Sequence, residues 1–252
     1  VLSQVSKLAK MKTEVIDIED TKGFKNLDSD IKAKVFGQDE AVDKLVESIL
    51  VSKAGLREPN KPIGSFLFVG PTGVGKTETA KQLAETMDVK LIRFDMSEYM
   101  ERHSVSKLIG APPGYVGHAE GEMGQGMLLA EVDKNPNCIL LLDEVEKAAP
   151  EVLQVLLQVM DDGRLTGATG KVVDFTNVIL LMTSNLGAAK LDTAKIGFGE
   201  KVHADADIEA TKVFFTPEFR NRIDAVIRFN KLGKKEIMSI VNRTVKDTNE
   251  LL

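Results

Sequence analysis

Several kinds of residue on which whole classes of protein depend are scarce in this sequence. Among its 252 residues there is one cysteine, Cys138, so no disulfide can form within the chain. The three histidines, His103, His118 and His203, are scattered and make no metal-ligand pattern with that cysteine. Basic residues number 33 against 38 acidic ones, and the pI of about 5.4 is unlike that of nucleic-acid-binding domains. We therefore expect no disulfide framework, no Cys/His metal site and no nucleic-acid partner.

Long apolar runs are also lacking. The longest runs, Cys138–Leu142 and Val178–Met182, have the length of strands, whereas a membrane-spanning helix needs about 20 apolar residues. No charged-then-apolar leader opens the chain, so neither a secretory signal nor a membrane partner is predicted. The chain starts at Val1 and its helical pattern continues to Leu252, which predicts a segment of a longer protein.

The apolar residues that are present form short runs that alternate with helical patterns. From Gln38 onward they recur at helical spacing until Gly55. Further helical patterns cover Thr77–Met87, Arg102–Ile109 and Pro150–Met160. The strand-like runs are Ser65–Val69, Lys90–Phe94, Cys138–Leu142, Val178–Met182 and Ala225–Phe229. This alternation predicts an α/β fold in which helices flank an open, parallel, five-stranded sheet.

A glycine-rich stretch matches the pattern G-x-x-x-x-G-K-[ST] between a predicted strand and a predicted helix. It consists of Gly70, Pro71, Thr72, Gly73, Val74, Gly75, Lys76 and Thr77. Glycines allow backbone N–H groups to turn inward around phosphate oxygens, and the N-terminus of the next helix attracts the same charge. Lys76 is expected to bind the β- and γ-phosphates, and the Thr77 hydroxyl is expected to ligate Mg²⁺. The stretch therefore predicts binding of a nucleoside triphosphate, with a chance match in a glycine-rich turn as the alternative.

Two adjacent carboxylates, Asp143 and Glu144, end the predicted strand that begins at Cys138. Ligands of open α/β sheets bind at the carboxyl ends of the strands, where the phosphate loop also lies. Asp143 suits a magnesium site, and Glu144 suits polarisation of an attacking water, which favours hydrolysis over transfer to a second substrate. Without the phosphate loop, the pair would as readily be a solvated strand end. Cys138 is expected to be a small buried hydrophobe without chemistry.

Polar residues also flank the last two predicted strands. Asn185 follows the fourth strand, where it could hydrogen-bond the γ-phosphate and the attacking water, although asparagine is also a common turn residue. Arg220 and Arg222 precede the fifth strand and could complete the site with a fixed positive charge. Surface ion pairs of little energetic value are the alternative for these arginines.

Taken together, these residues resemble the Clp family of AAA+ unfoldases, and most closely the second ATPase module of its ClpA-like members, with ClpC-like members next. The matching runs stand in family order over roughly residues 30–250 and are 35–41, 70–77, 94–103, 109–117, 140–147, 158–166, 182–187 and 215–224. The resemblance implies an ATP-driven homo-hexamer that uses ATP, ADP and Mg²⁺ to thread protein substrates through a central pore. It also implies adaptor proteins and a bacterial cytoplasmic or equivalent organellar location.

The resemblance also assigns roles by position. Lys76, Thr77, Asp143 and Glu144 keep the roles argued above, and Asn185 is expected to sense the γ-phosphate. Arg222 matches the family's arginine finger, which acts on the ATP of the neighbouring subunit, and Arg220 is the less favoured contributor. Val35 and Phe36 match residues that pack near the adenine.

Two further segments gain a role only from the resemblance. Tyr115 and Val116, within a Gly-Tyr-Val-Gly run, match the pore loop that grips substrate, although spacing alone would favour a turn. Ile196, Gly197 and Phe198 match the loop by which ClpA-like members dock on the ClpP peptidase. The alternative for this tripeptide is that its apolar side chains hold their own loop on the domain.

The resemblance divides the chain into three parts. Residues 1–34 are expected to be a linker from a preceding module, residues 35–230 the large ATPase subdomain, and residues 231–252 the start of a small helical subdomain. It places an arginine that contacts the γ-phosphate beyond Leu252, so the segment alone is expected to hydrolyse ATP weakly. The stretch at 118–126, which follows the predicted pore loop, departs from the family pattern.

The leading interpretation is an ATPase module of an unfoldase that feeds a peptidase. A ClpB-like disaggregase that works without a protease is the first alternative, and the Ile196–Phe198 tripeptide argues against it. A nucleic-acid motor of the same superfamily is disfavoured by the acidic pI. A nucleotide-binding module without catalysis is disfavoured by the intact pair Asp143 and Glu144.

Overall fold

The computed structural model describes residues 26–56, 58–110, 126–186 and 206–250. Its strands are β1 (Gly64–Val69), β2 (Lys90–Asp95), β3 (Cys138–Asp143), β4 (Arg164–Thr166), β5 (Val172–Asp174), β6 (Ile179–Ser184) and β7 (Ala225–Arg228). Five of them form a parallel sheet in the order β2-β3-β6-β1-β7, while β4 and β5 pair as an antiparallel hairpin. The predicted α/β fold and five-stranded parallel sheet are confirmed.

Helices surround this sheet in the described part of the chain. They are α1 (Leu27–Lys32), α2 (Asp39–Val51), α3 (Lys76–Thr86), α4 (Arg102–Ile109), α5 (Met127–Lys134), α6 (Pro150–Asp162), α7 (Ala206–Phe214), α8 (Pro217–Asn221) and α9 (Lys234–Glu250). A π-helical turn, Ser52–Leu56, continues α2. Two 3₁₀ turns, Met96–Tyr99 and Val145–Lys147, follow β2 and β3.

The central strands are mostly apolar because helices cover both faces of the sheet. Every residue of β1, β3 and β6 is buried, whereas β2 at the edge alternates between exposed and buried positions. Successive side chains point to opposite faces, so Leu67 joins one apolar core and its neighbours Phe66 and Phe68 join the other. The parallel register brings Val69 level with Ser184, so their carboxyl ends share one edge of the sheet with that of β3.

The end of the predicted linker contains a helix that the sequence did not indicate. Residues 27–32 form helix α1, which packs on α2 and α3, and both Leu27 and Ile31 are fully buried in the core that contains Phe66. The mixed charge of this segment hid the helix because only two of its residues face the core. Helix α1 therefore shares an apolar core with the sheet, and the predicted domain boundaries stay predictions.

The β4–β5 hairpin is a second feature that the sequence did not indicate. It is held by Gly167, whose N–H donates to the carbonyl of Lys171 at 2.8 Å, and it follows directly on the end of α6. Three-residue strands with one buried side chain each leave little periodicity to detect. In the residues that the structure describes, no helix is long and apolar enough to cross a membrane.

Candidate active site

The glycine-rich loop connects the end of β1 to the first residue of α3, as the sequence predicted. Gly70 has a φ of 146°, and a Cβ at this position would lie 2.5 Å from the carbonyl oxygen of Phe229. Gly75 precedes α3 with a φ of 106°, a left-handed conformation that other residues rarely adopt. The backbone of the loop therefore takes a path that depends on glycine, and it presents the N-terminus of α3 to the edge of the sheet.

Lys76 is buried within this loop, with 7% of its surface exposed. Its Nζ donates hydrogen bonds to the carbonyl oxygens of Gly70 at 2.6 Å and Pro71 at 2.8 Å. A third hydrogen bond joins it to Oδ1 of Asn185 at 2.8 Å. A buried ammonium is costly unless it is paired, so these three acceptors hold the positive charge beside the phosphate loop.

Asp143 ends β3 and is also buried, with 8% of its surface exposed. The Thr77 hydroxyl donates to its Oδ2 at 3.2 Å, and Arg93 from the neighbouring strand donates to the same oxygen through Nη2 at 2.7 Å and Nε at 3.1 Å. The Thr183 hydroxyl donates to the other oxygen, Oδ1. Sequence reasoning assigned both Asp143 and Thr77 to a magnesium site but gave no role to Arg93 or Thr183.

Glu144 is held in a strained backbone conformation directly after this strand. Its φ of 56° lies in the left-handed region, which non-glycine residues seldom occupy and which recurs at active sites. Its N–H donates to the Thr183 hydroxyl at 3.0 Å, and Lys147 forms an ion pair with its Oε2 at 2.5 Å. The hydrogen bond to Glu144 raises the pKa of Lys147, and charge attraction from Glu144 adds to the effect. The turn thus directs the carboxylate toward Asn185.

Asn185 connects the phosphate loop to Glu144. Its Oδ1 accepts from Lys76 at 2.8 Å, and its Nδ2 donates to Oε1 of Glu144 at 2.8 Å. Its backbone N–H donates to Oε1 of Glu146 at 2.9 Å, which fixes the residue at the end of β6. One amide therefore joins the lysine beside the phosphates to the carboxylate suited to orient water.

The donor set beside the loop suits magnesium. Mg²⁺ prefers oxygen ligands and is usually bound by one or two protein groups together with substrate phosphates and water. Two residues supply such oxygens close to each other. They are Thr77, through its hydroxyl in the first turn of α3, and Asp143, through its carboxylate at the end of β3. Among the described residues, no group of three or more His, Cys, Asp or Glu side chains could hold a metal by itself. Phosphate oxygens would have to complete the coordination.

Of the two residues predicted to contact the adenine, Val35 is buried in the same apolar core as Val74 of the loop, while Phe36 is half-buried. Gln38, two residues on, is 2% exposed and donates through Nε2 to the carbonyls of Val74 at 3.0 Å and Asn230 at 2.8 Å. Its Oε1 accepts from the N–H of Asn230 at 2.9 Å. Gln38 was part of a matched run, yet sequence reasoning missed this link between the loop and the segment after β7.

Arg222 does not join the other predicted residues. It lines a cleft of about 500 Å³ with Gly64 and Ser65, which begin β1, whereas the phosphate loop follows the other end of that strand. The length of β1 separates the two positions by about 17 Å. The Nε of Arg222 donates to Oδ1 of Asp161 at 2.7 Å, and this hydrogen bond raises the pKa of the guanidinium. Arg222 therefore cannot reach a nucleotide on its own phosphate loop.

Two predicted segments lie outside the described residues. Tyr115 and Val116 belong to residues 111–125, and Ile196, Gly197 and Phe198 belong to residues 187–205. Their proposed contacts with substrate and peptidase stay predictions.

A strand, a glycine-rich loop and a helix, with an aspartate at the end of β3, define the chain as a P-loop nucleotide-binding domain. A family model described as AAA domain (Cdc48 subfamily) matches residues 61–226, and the chain belongs to this family of ATPases. Its relatives place it more narrowly among the Clp-type AAA+ modules, as the sequence motifs predicted.

The curated relatives carry the names of several Clp proteins. A ClpA homolog protein of Fuscovulum blasticum is 55% identical over 96% of this chain. The ATP-dependent Clp protease ATP-binding subunit ClpE of Lactococcus lactis is 51% identical over 89%, and the chaperone protein ClpB of Oceanobacillus iheyensis is 47% identical over 98%. The chain spans 30% of the length of each of these relatives.

A solved structure has the same fold. The closed-state cryo-EM reconstruction of Hsp104 with ATPγS and FITC casein superimposes with a TM-score of 0.82 and 37% sequence identity. The match covers 98% of this chain and 42% of the Hsp104 chain. The chain is therefore a homologue of the Clp and Hsp104 AAA+ chaperones.

Proposed function

We propose that this chain is the Mg²⁺-dependent, ATP-hydrolysing module of a protein unfoldase and translocase. The observation that carries the proposal is the pair of hydrogen bonds through which Asn185 joins Lys76 to Glu144. A lysine for phosphate, a polar sensor and a carboxylate for water are the groups that ATP hydrolysis requires at one place. In this site they share one edge of the sheet with Asp143.

Each residue contributes by position or charge. The N–H groups of the phosphate loop and Lys76 bind the phosphates, while Thr77 and Asp143 hold the metal. Mg²⁺, when bound there, neutralises charge that develops on the phosphate oxygens. Glu144 orients and polarises the attacking water, and Asn185 responds to the γ-phosphate because it already contacts both Lys76 and Glu144. Val35 and Phe36 pack near the adenine.

The hydrolysis step is tested by Glu144→Gln and Lys76→Ala in the full-length protein. Glu144→Gln removes the carboxylate but keeps its shape, so we expect ATP binding to persist and turnover to stop. Lys76→Ala removes the phosphate ligand, so binding itself should weaken. Because the chain has no tryptophan, binding is measured with a labelled nucleotide. A normal rate of hydrolysis in Glu144→Gln would overturn the assignment.

We further propose that the full-length protein assembles as a homo-hexamer in the bacterial cytoplasm and threads protein substrates, some of them brought by adaptors. Tyr115 and Val116 would grip the substrate in the pore, since an aromatic side chain between glycines can make apolar contact with any polypeptide. The location of Arg222 at the opposite edge of the sheet supports a site completed by a neighbouring subunit. Helix α9 would begin the small subdomain of each protomer.

The partner proposed for the hexamer is a ClpP-like peptidase. Ile196, Gly197 and Phe198 would insert into apolar pockets on the peptidase, where a few apolar anchors can supply most of the binding energy. The names of the ClpA and ClpE relatives support this role. The ClpB relative and the Hsp104 structure favour a second candidate, a disaggregase that works without a peptidase.

One experiment separates the two candidates. Full-length protein with ATP, a ClpP peptidase and a tagged fluorescent substrate is compared with a variant in which residues 196–198 are all alanine. We expect the wild type to lose fluorescence and release peptides, and the variant to unfold the substrate without peptide release. Unfolding without peptides in the wild type as well would assign the chain to the disaggregases.

A further inference from the structure

Arg222 is held by one edge of its guanidinium group. Nε donates to Oδ1 of Asp161 at 2.7 Å, and the two side chains are 31% and 38% exposed. Within the described ranges, the two terminal nitrogens of Arg222 have no hydrogen-bond partner. A guanidinium has five donors in a fixed plane, so a bond through Nε sets the direction of that plane. The terminal donors stay available for an anion such as a phosphate.

Asp161 and Arg222 each lie at the end of a helix, where further contacts fix the backbone. Asp161 lies in the last turn of α6, whose end is fixed by Gly163 in a left-handed conformation. The helix dipole places negative charge at that end, which favours a neighbouring cation. Arg222 ends α8, and two residues later Asp224 is joined to Ser65 by a backbone N–H donated to its carbonyl at 2.9 Å. The Asp224 carboxylate also accepts from the N–H of Ser65 at 2.7 Å.

We propose that Asp161 is the positioning residue for Arg222, and that it directs the terminal nitrogens toward the nucleotide of a neighbouring subunit. This inference rests on the proposed role of Arg222 in trans. A charged side chain with several rotatable bonds would otherwise sample many directions at the subunit boundary. The carboxylate of Asp161 reduces this freedom before the subunits assemble. Less conformational entropy of the Arg222 side chain is therefore lost when the transition state forms. The opposite possibility is a latch that keeps Arg222 away from the neighbour.

Mixed rings of full-length protein test the proposal. Acceptor subunits carry Arg222→Ala and therefore keep a nucleotide site but lack the finger. Donor subunits carry Lys76→Ala and supply only the finger. ATP hydrolysis restored on mixing, above the rate of rings made entirely of Lys76→Ala subunits, measures action in trans.

Asp161→Asn is then placed in either subunit. In the donor we expect the restored rate to fall about tenfold, the loss typical of one hydrogen bond to a charged group, with the KM for ATP unchanged. In the acceptor, where no finger is present, we expect no change. Asp161→Glu in the donor should recover part of the rate. Asp162→Asn in the donor is the matched control, because it removes the adjacent, more exposed carboxylate at the same helix end.

The outcomes are distinguishable. No restored hydrolysis in the parent mixture would overturn the proposed role of Arg222 itself. An unchanged rate with the donor Asp161→Asn would overturn the positioning role, and a higher rate would show a latch instead. An equal loss from the donor and acceptor placements would assign Asp161 to the general stability of the domain and would also reject the proposal. Ring formation is checked in every mixture by size-exclusion chromatography.

Discussion

Thr183 joins the carboxylate of Asp143 to the backbone of Glu144 through a single hydroxyl. The hydroxyl donates to Oδ1 of Asp143 and accepts from the N–H of Glu144 at 3.0 Å, and the residue is 1% exposed. The left-handed turn at Glu144 therefore has a specific support from the neighbouring strand β6. A short polar side chain inside an otherwise apolar strand is the sequence signal that could have revealed this contact.

We predict that Thr183→Val lowers the rate of ATP hydrolysis by about tenfold while nucleotide binding persists. Valine has the same shape but makes neither hydrogen bond, so the Glu144 N–H loses its partner at a cost of about 1–3 kcal/mol. The measurement is steady-state hydrolysis together with binding of a labelled nucleotide. Thr86→Val is the control, because the Thr86 hydroxyl only bonds back to its own helix at Gln82. Equal rates in the two variants would contradict the prediction.

We predict that Cys138 resists thiol reagents in the folded protein. Burial raises the pKa of its thiol to about 12, and the charge of Lys90 offsets only part of this shift. The thiolate is the reactive form, so between pH 7 and pH 9 almost none is present, and the buried sulfur is shielded as well. Alkylation followed by mass spectrometry, with and without denaturant, measures this. If the thiol were labelled as fast in the native as in the denatured protein, β3 would have to separate from the sheet by local unfolding, and the prediction would be wrong.

At the scale of the element, the sequence predicted the features that depend on local patterns and missed those that depend on contacts between distant segments. The phosphate loop, the five strands and the positions of Asp143 and Asn185 follow from apolar periodicity and from motifs that lie within one stretch of chain. The contacts of Gln38, Arg93 and Asp161 depend on which strands and helices become neighbours. Gln38 lies 192 positions from Asn230, so no local pattern could indicate that pairing.

We predict that the packing of helix α1 contributes to the stability of the domain. Ile31 is fully buried between α2 and α3, so Ile31→Ala should lower the free energy of unfolding by about 2–5 kcal/mol. Asp30→Ala, on the exposed side of the same helix, is the control and should stay within about 0.5 kcal/mol of the wild type. Urea unfolding of the full-length protein, followed by circular dichroism, measures both. Similar small effects of the two changes would mean that α1 is an appended segment, as the sequence had suggested.

At the scale of the whole molecule, the residues proposed for ATP hydrolysis lie at two opposite edges of the sheet. The groups for phosphate, metal and water lie where the parallel strands end, while Arg222 lies where β1 begins. A protomer with this layout would present a nucleotide at one side and a cation at the other. In the proposed hexamer, head-to-tail contacts between identical protomers close into a ring, so this separation would couple ATP hydrolysis to assembly.

The two tyrosines of the chain allow hydrolysis and substrate handling to be separated in the assembled protein. We predict that Tyr115→Ala retains ATP hydrolysis but slows unfolding of a tagged substrate, because it would remove the proposed aromatic contact with the polypeptide without changing the residues of the nucleotide site. Tyr99 is 5% exposed and packs edge to face on Phe94 with ring centroids 6.3 Å apart, so it belongs to the core.

Tyr99 supplies the matched controls for this last prediction. Tyr99→Ala should lower the thermal stability and reduce hydrolysis and unfolding together, since a cavity in the core affects the whole domain. Tyr99→Phe should change neither by much, because it keeps the ring. Hydrolysis, substrate fluorescence and melting temperature are measured on the same preparations. A joint loss of hydrolysis and unfolding in Tyr115→Ala, matching that of Tyr99→Ala, would assign Tyr115 to the structure of the domain rather than to the grip on substrate.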